Sequence, residues 1–294
     1  MRLADTCSKG CCAVCFAAMF LMAQEAPVTV FRSESRLVDV YASVFDRKGN
    51  PVDGILKERF AILDAGSVQP IVSFETESKS ISCAILLDTT GSMKDALASV
   101  KNAVSMFVDE LREDDSAAIF GFSTSLRTLQ DFTTDRGAAK RAALRTKAGG
   151  ATALFDAVVE VAKLTSARSG KKAIVLFTDG SDNASSLRTE AAISRVAKIG
   201  IPIYAIAEGE AAQSHELKKQ LRRITEATGG QLYEIRNTKN VSGIFEDILS
   251  ELKHVYLLSY KPPQDAGGKW HDIQIRITGL EAYRVRGRTG YFPN

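Results

Sequence analysis

Two apolar runs, Cys83 to Leu87 and Ala173 to Phe177, each give way within two residues to an aspartate, Asp88 and Asp179. Uninterrupted apolar runs of this length read as strands buried on both faces. Around them, from Ile81 onward, strands alternate with segments of helical period. Strand Ile81–Leu87 leads to a helix over Met93–Arg112, where Met93, Leu97, Val100, Val104 and Phe107 recur at three- and four-residue steps. Ala117–Phe122 and Leu126–Phe132 form a hairpin-like pair, one strand antiparallel at an edge. Helices are predicted over Arg136–Arg145 and Thr152–Ala167. Strand Lys172–Phe177 precedes a helix over Arg188–Ile199, and strand Ile203–Ala207 precedes one over His215–Thr228. Ser214 is the N-cap of that helix and Gly229-Gly230 its end. A short strand, Leu232–Ile235, and a helix, Val241–Lys253, complete the series. Alternation of this kind predicts an α/β domain over residues 81–253, a doubly wound, mostly parallel sheet with helices on both faces.

The flanks have a different period. Residues 28–80 read as β: Leu37–Phe45, Phe60–Leu63 and Gln69–Phe74 are separated by the turn clusters Asp46–Pro51 and Asp64–Ser67. Residues 254–294 return to β, with Ile273, Ile275 and Ile277 alternating against Asp272, Gln274 and Arg276 as in a half-buried strand. Neither flank can bury a good core alone. The expectation is one small β-sandwich built from both, with the α/β domain inserted between them.

At 294 residues, with a hydrophobic fraction of 45% and a charged fraction of 25%, the chain has the composition of a globular protein. A net charge of +3, with bases and acids interleaved, gives no electrostatic case for a nucleic-acid partner or a membrane surface. Four of the five cysteines (Cys7, Cys11, Cys12, Cys15) lie in or beside an apolar stretch, Cys11 to Ala23, that follows Arg2 and Lys9. The stretch is shorter than the roughly 20 residues a membrane span requires. It reads as a secretory signal peptide over residues 1–23, against the alternatives of an uncleaved anchor or a misplaced start. This predicts a secreted or periplasmic protein with no stable membrane span after cleavage. No histidine completes a zinc site with these cysteines. Cys83, left after cleavage, reads as a small core residue.

The candidate chemistry lies beside the two aspartates. Asp88, Thr90 and Ser92 in Leu-Leu-Asp-Thr-Thr-Gly-Ser alternate through a strand-to-helix turn, so that all three can face one cavity. Thr152 follows two glycines, and Asp179 stands in Phe-Thr-Asp-Gly. Two carboxylates and three hydroxyls make an all-oxygen set suited to a hard divalent cation; hydroxyl-rich ligation favours Mg2+ over Mn2+ or Ca2+. The alternative is that Thr90, Ser92 and Thr152 cap helices, and both roles can coexist. Asp182 is a candidate for hydrogen bonding behind the ligands, Asn183 another, and a solvated capping loop is the alternative for both.

Asp88-x-Thr90-x-Ser92, Thr152 and Asp179-Gly180, in this order and each after the appropriate element, resemble the metal-ion-dependent adhesion site of von Willebrand factor type A (VWA) domains. Thr90 stands where that family usually has serine and keeps the hydroxyl. The resemblance covers about residues 81–252. The flanks, with Phe60-Ala61-Ile62-Leu63 before the domain and Arg288-Thr289-Gly290-Tyr291-Phe292 after it, resemble secreted bacterial VWFA-related proteins. It implies a non-enzymatic binding module in which a partner protein's Asp or Glu completes the cation's coordination, with loops Thr124–Thr128, Ser181–Ser186 and Glu208–Ser214 setting specificity. The competing reading is a Mg2+-dependent phosphatase or phosphotransferase with Asp88 as nucleophile, since Asp-Thr-Thr-Gly-Ser is similar to the Asp-Lys-Thr-Gly-Thr of aspartyl-phosphate enzymes. Thr89 in place of lysine, and Thr152, have no place in that pattern. His215, His254 and His271 lie away from any Gly-x-Ser-x-Gly elbow, so no serine-hydrolase reading survives.

Overall fold

Strands that are apolar on both sides need a layer above and a layer below, and the helices supply them. The computed structural model describes residues 37–76, 80–235, 241–263, 269–279 and 282–293, all in one compact unit. The expected signal peptide, its four cysteines and the start of the first β flank lie outside these residues. In chain order the strands are β1 (Val38–Phe45), β2 (Phe60–Asp64), β3 (Ser67–Gln69), β4 (Ile71–Glu75) and β5 (Ile81–Asp88). Helix α1 (Leu97–Glu110), strands β6 (Ser116–Phe122) and β7 (Leu126–Thr133), and helices α2 (Arg136–Leu144) and α3 (Leu154–Ser166) follow. Then come β8 (Lys171–Thr178), α4 (Thr189–Ile199), β9 (Ile203–Ala207), α5 (Gly209–Gln213), α6 (His215–Thr228), β10 (Leu232–Glu234) and α7 (Val241–His254). The chain closes with β11 (Tyr256–Tyr260), β12 (His271–Ile277), β13 (Arg284–Gly287) and β14 (Gly290–Tyr291).

The central sheet has the order β10-β9-β8-β5-β6-β7, parallel throughout except for β7 at the edge. Alternate residues of its strands enter two apolar cores. Cys83, Ile85 and Leu87 pack with α1, α2 and α7 on one face; Ala84 and Leu86 pack with α3, α4 and α6 on the other. The chain winds from β5 outward through β6 and β7, then crosses back to β8 and winds the opposite way. β5 and β8 are thus the neighbours at which the winding reverses, where an open α/β sheet leaves a crevice beyond its carboxyl ends.

The flanks make two four-stranded antiparallel sheets, β13-β1-β11-β4 and β14-β12-β2-β3. Their shared core includes Val40, Ala42, Phe60, Ile62, Tyr256 and Leu258. The sequence reads Gln69–Phe74 as one strand, but Pro70, which has no N–H for the ladder, divides it. β3 then belongs to one sheet and β4 to the other.

This sandwich is anchored to the α/β layers by buried polar groups. Glu251 of α7 accepts from Ser43 Oγ of β1 at 2.6 Å and Tyr204 OH of β9 at 2.9 Å, and pairs with Arg286 of β13. Buried Arg288 donates to the carbonyls of Ala197, Asp39 and Gly290. At Gly229, the left-handed residue ending α6 (φ 85°), an added Cβ would lie 2.6 Å from the Arg288 nitrogen. Glycine therefore answers both the backbone angle and the close approach.

One further expectation changes. The helix predicted over Met93–Arg112 begins as a 3-10 turn, Gly91–Lys94, before α1 starts at Leu97. Of the histidines, His254 is the last residue of α7, and His271 is the first residue of β12, with Nδ1 2.7 Å from Asp64 Oδ1.

Candidate metal centre

Asp88 is the last residue of β5, and Asp179 follows the last residue of β8. The register that pairs Leu87 with Phe177 therefore brings both carboxylates to the same rim of the sheet. Between them runs a chain of hydroxyls. Thr90 Oγ1 donates to Asp88 Oδ1 at 2.7 Å, Thr90 and Ser92 hydroxyls lie 3.1 Å apart, and Ser92 Oγ donates to Asp179 Oδ1 at 2.9 Å. The Thr90 amide also donates to Asp88 Oδ1 at 2.9 Å, which curls the turn so that residues 88, 90 and 92 face together. That curl is why the segment after β5 opens as a 3-10 turn.

Thr152 reaches the site from the loop before α3. Its carbonyl accepts the amides of Asn183 and Ala184 at 2.9 and 3.0 Å, and its amide donates to Asn183 Oδ1 at 2.8 Å. A Cβ added to Gly180 would stand 3.9 Å from Ser92 Oγ and 4.0 Å from Thr152 Oγ1. The two hydroxyls thus border one small space that glycine keeps open. Gly150 (φ 98°) is packed so closely that an added Cβ would meet the Ser123 side chain at 2.9 Å, which fixes the approach of the Thr152 loop.

Helix capping is not the function of these hydroxyls. No side chain caps the 3-10 turn that begins after Thr90, nor α3 at its N-cap, Ala153. The work at α3 falls to Asp182, which accepts the Phe155 amide at 3.1 Å and holds Ser185 through its amide and hydroxyl. Asp182 therefore supports the loop beside Thr152 through main-chain contacts. Asp156, to which the sequence assigned no role, accepts the amides of Ser186 and Leu187 at 2.7 and 3.0 Å and clamps the far side of the same loop.

Three residues were not singled out from sequence. Thr178, fully buried, donates to Asp88 Oδ2 at 2.8 Å, so both oxygens of Asp88 are engaged. Its place immediately before Asp179, at the end of a buried strand, is the signal that could have found it. Glu208 and Glu210 follow β9; Glu210 accepts from Ser181 Oγ at 3.0 Å, and the Ala211 amide donates to the Asp179 carbonyl at 3.0 Å. Helix α5 had been read as loop; with five residues it is too short for a periodic signal.

The electrostatics are those of neighbouring acids that raise one another. Burial pushes the Asp88 carboxyl up, against the hydrogen bonds from Thr90 and Thr178, and the Asp179 charge adds to the rise. Burial likewise raises Asp179, opposed by Ser92 and assisted by Glu210. Glu208 is raised by burial and then by Asp179. No basic side chain enters the balance at any of the three. Among the described residues no group of three or more His, Cys, Asp or Glu is placed to hold a metal. The oxygens here are mainly hydroxyls. Ser92 and Thr90 direct their protons to carboxylates, which leaves their lone pairs available and makes them better donors. Such a set fits a hard divalent cation.

The von Willebrand factor type A domain model matches residues 83–247, more than half of the chain. No curated protein matches significantly. Among solved structures, a von Willebrand factor type A protein from Catenulispora acidiphila aligns with a TM-score of 0.52 at 16% identity, covering 89% of this chain and 75% of that one. Proximal thread matrix protein 1 from the mussel byssus aligns with a TM-score of 0.53 at 20% identity, covering 65% of this chain and 51% of that one. The conserved hypothetical protein BatB from Bacteroides thetaiotaomicron gives 0.50 at 20% identity, covering 59% and 97%. At these identities the likeness concerns the fold, and with the family match over the α/β layers it means that this chain belongs to the von Willebrand factor type A domain family.

Proposed function

We propose that the chain is a non-enzymatic, exported binding module in which Asp88, Thr90, Ser92, Thr152 and Asp179 hold a Mg2+ ion, and that a carboxylate from a partner protein completes the ion's coordination. The observation that carries this reading is the direction of the hydroxyls: Thr90 and Ser92 face the carboxylates, not the helix amides. Neutral oxygens bind a cation without cancelling its charge. The ion then keeps an affinity for an external Asp or Glu, and this is the chemistry it supplies when bound. The residues of the chain set its position: Thr178 and the Thr90 amide hold Asp88, Ser92 fixes Asp179, and Asp182 and Asn183 hold the Thr152 loop. Specificity is assigned to Thr124–Thr128, Ser181–Ser186 and Glu208–Ser214 around the rim.

The phosphoryl-transfer reading needs an Asp88 carboxylate free to attack. Asp88 is fully buried with both oxygens accepting hydrogen bonds, which weighs against it. Export rests on the apolar segment ending at Ala23. In the described residues no helix is long and apolar enough to cross a membrane. The test is capture of envelope or extracellular proteins from the native organism on the immobilised chain with Mg2+, with Mn2+ or Ca2+ in its place, and with EDTA. Binding should be lost in EDTA and in Asp179→Ala; partners retained under both conditions would sink the mechanism.

A further inference from the structure

Strand β12 is paired along most of its length on only one of its sides. β2 covers it from Ile273 to Ile277, whereas β14 meets it only at His271 and Asp272. Beyond these, the Ile273 amide donates to the Thr289 carbonyl at 2.9 Å, while the Asp272 carbonyl on the opposite side accepts from Ala65. Alternation along an antiparallel ladder then fixes the rest. The Ile273 carbonyl, both backbone groups of Ile275 and the Ile277 amide are directed to the uncovered side, where no ladder partner is present among the described residues. A cleft of about 310 Å3 opens beside this edge. Its opposite wall is Val285 and Gly287 of β13, the edge strand of the other sheet, together with Arg288 and Thr289.

The charge of this cleft is one-sided. Two arginines line it, Arg276 and Arg288, and no acid does. Arg276 is exposed and donates to Gln274 at 3.1 Å. Arg288 is buried and gives its N–H groups to main-chain carbonyls, and no carboxylate among the described residues pairs with it directly. An uncovered strand edge is a template for a further strand. The inward residues of an added strand would meet Ile275 and Val285; its outward residues would stand beside Arg276.

We propose that the open edge of β12 docks an extended segment of a partner protein by strand addition, and that this segment alternates apolar residues with Asp or Glu. The site is remote from Asp88 and Asp179 and is independent of any cation.

A fluorescein-labelled peptide of alternating Val and Glu, seven residues long, tests this with the intact chain in EDTA. Fluorescence anisotropy should show saturable binding that weakens roughly tenfold in Arg276→Glu and with rising salt. The same peptide N-methylated at alternate residues, which cannot complete a ladder, should not bind. Hydrogen exchange at the Ile275 and Ile277 amides should slow when the unmodified peptide is present. The proposal is overturned if the acidic peptide does not bind, if a Val-Lys counterpart binds as tightly, or if N-methylation has no effect. Concentration-dependent dimerisation with the Ile275 amide already protected would assign the edge to a second copy of the chain and overturn it equally.

Discussion

The Ser92 hydroxyl donates to Asp179 Oδ1 at 2.9 Å across 87 residues of sequence, and this bond joins the turn after β5 to the turn after β8. It spans the point at which the sheet reverses its winding. Two loops that diverge to opposite faces of the domain are thereby held as one surface.

Thr178 is the residue that fixes Asp88 from behind. In Thr178→Val the hydroxyl is replaced by a methyl of similar size, and Asp88 Oδ2 loses its donor in a buried setting. A stability loss of about 1–3 kcal/mol is expected by urea unfolding. Mg2+ affinity by calorimetry should fall roughly 10- to 100-fold, the usual effect of removing such support. Unchanged affinity would show that Asp88 does not need this bond.

Gly180→Ala separates folding from ion binding. The added methyl meets Ser92 Oγ and Thr152 Oγ1 at ordinary contact distance, 3.9 and 4.0 Å. Stability without metal should change by no more than about 0.5 kcal/mol. The stabilisation on adding Mg2+, which mass action sets at about 2.7 kcal/mol for a hundredfold excess over Kd and which is read as a rise in melting temperature, should shrink or vanish. An undiminished rise would place the ion elsewhere.

Asp182→Ala removes an acceptor for the Phe155 and Ser185 amides. About 1 kcal/mol of stability should be lost, as for other helix N-caps. The Mg2+-induced shift should shrink but persist, because Asp182 supports the Thr152 loop through the Phe155 and Ser185 amides and the Ser185 hydroxyl and touches none of the proposed ligand side chains. If the shift disappears, Asp182 belongs to the ion's coordination.

Glu251→Ala leaves Arg286 without its carboxylate and removes the acceptor of Ser43 and Tyr204. Breaking a buried pair from one side costs about 3–5 kcal/mol. Since the residue joins the sandwich to the α/β layers, the loss should appear as a broadened or split unfolding transition. A single transition, shifted but equally sharp, would show that it acts merely as local packing.

Much of this molecule was legible where the signal is periodic or chemically specific. Strands β5 and β8 were recognisable because nothing polar interrupts them, and the convergence of Asp88, Thr90 and Ser92 because they alternate at two-residue spacing. Ser214 and Gly229 marked the ends of α6, and the structure has both roles in place. The lost details share a cause: they depend on contacts distant in sequence. The place of Thr178 before Asp179 marks it, but its partner, Asp88, is visible only once β5 lies beside β8. The 3-10 turn at Gly91–Lys94 follows from the bonds to Asp88, and helical periodicity alone extends α1 through it. The pairing of His271 leaves no local trace because its partner, Asp64, lies 207 residues away. Asp182 was readable as a supporting residue, but only the fold shows that it acts on backbone amides.

The insertion of the α/β layers into the sandwich has a mechanical meaning. The chain enters them from β4 and leaves them into β11, and these strands are hydrogen-bonded neighbours, with Leu257 opposite Glu75. Asp88 and Asp179 stand at the far ends of β5 and β8, about 23 Å along the strands from that junction. A load pulling on the site reaches the sandwich through two adjacent strands stitched in opposite directions. On the proposed function, a partner held at the site would load both strands together along their ladder, and not unzip them from one end.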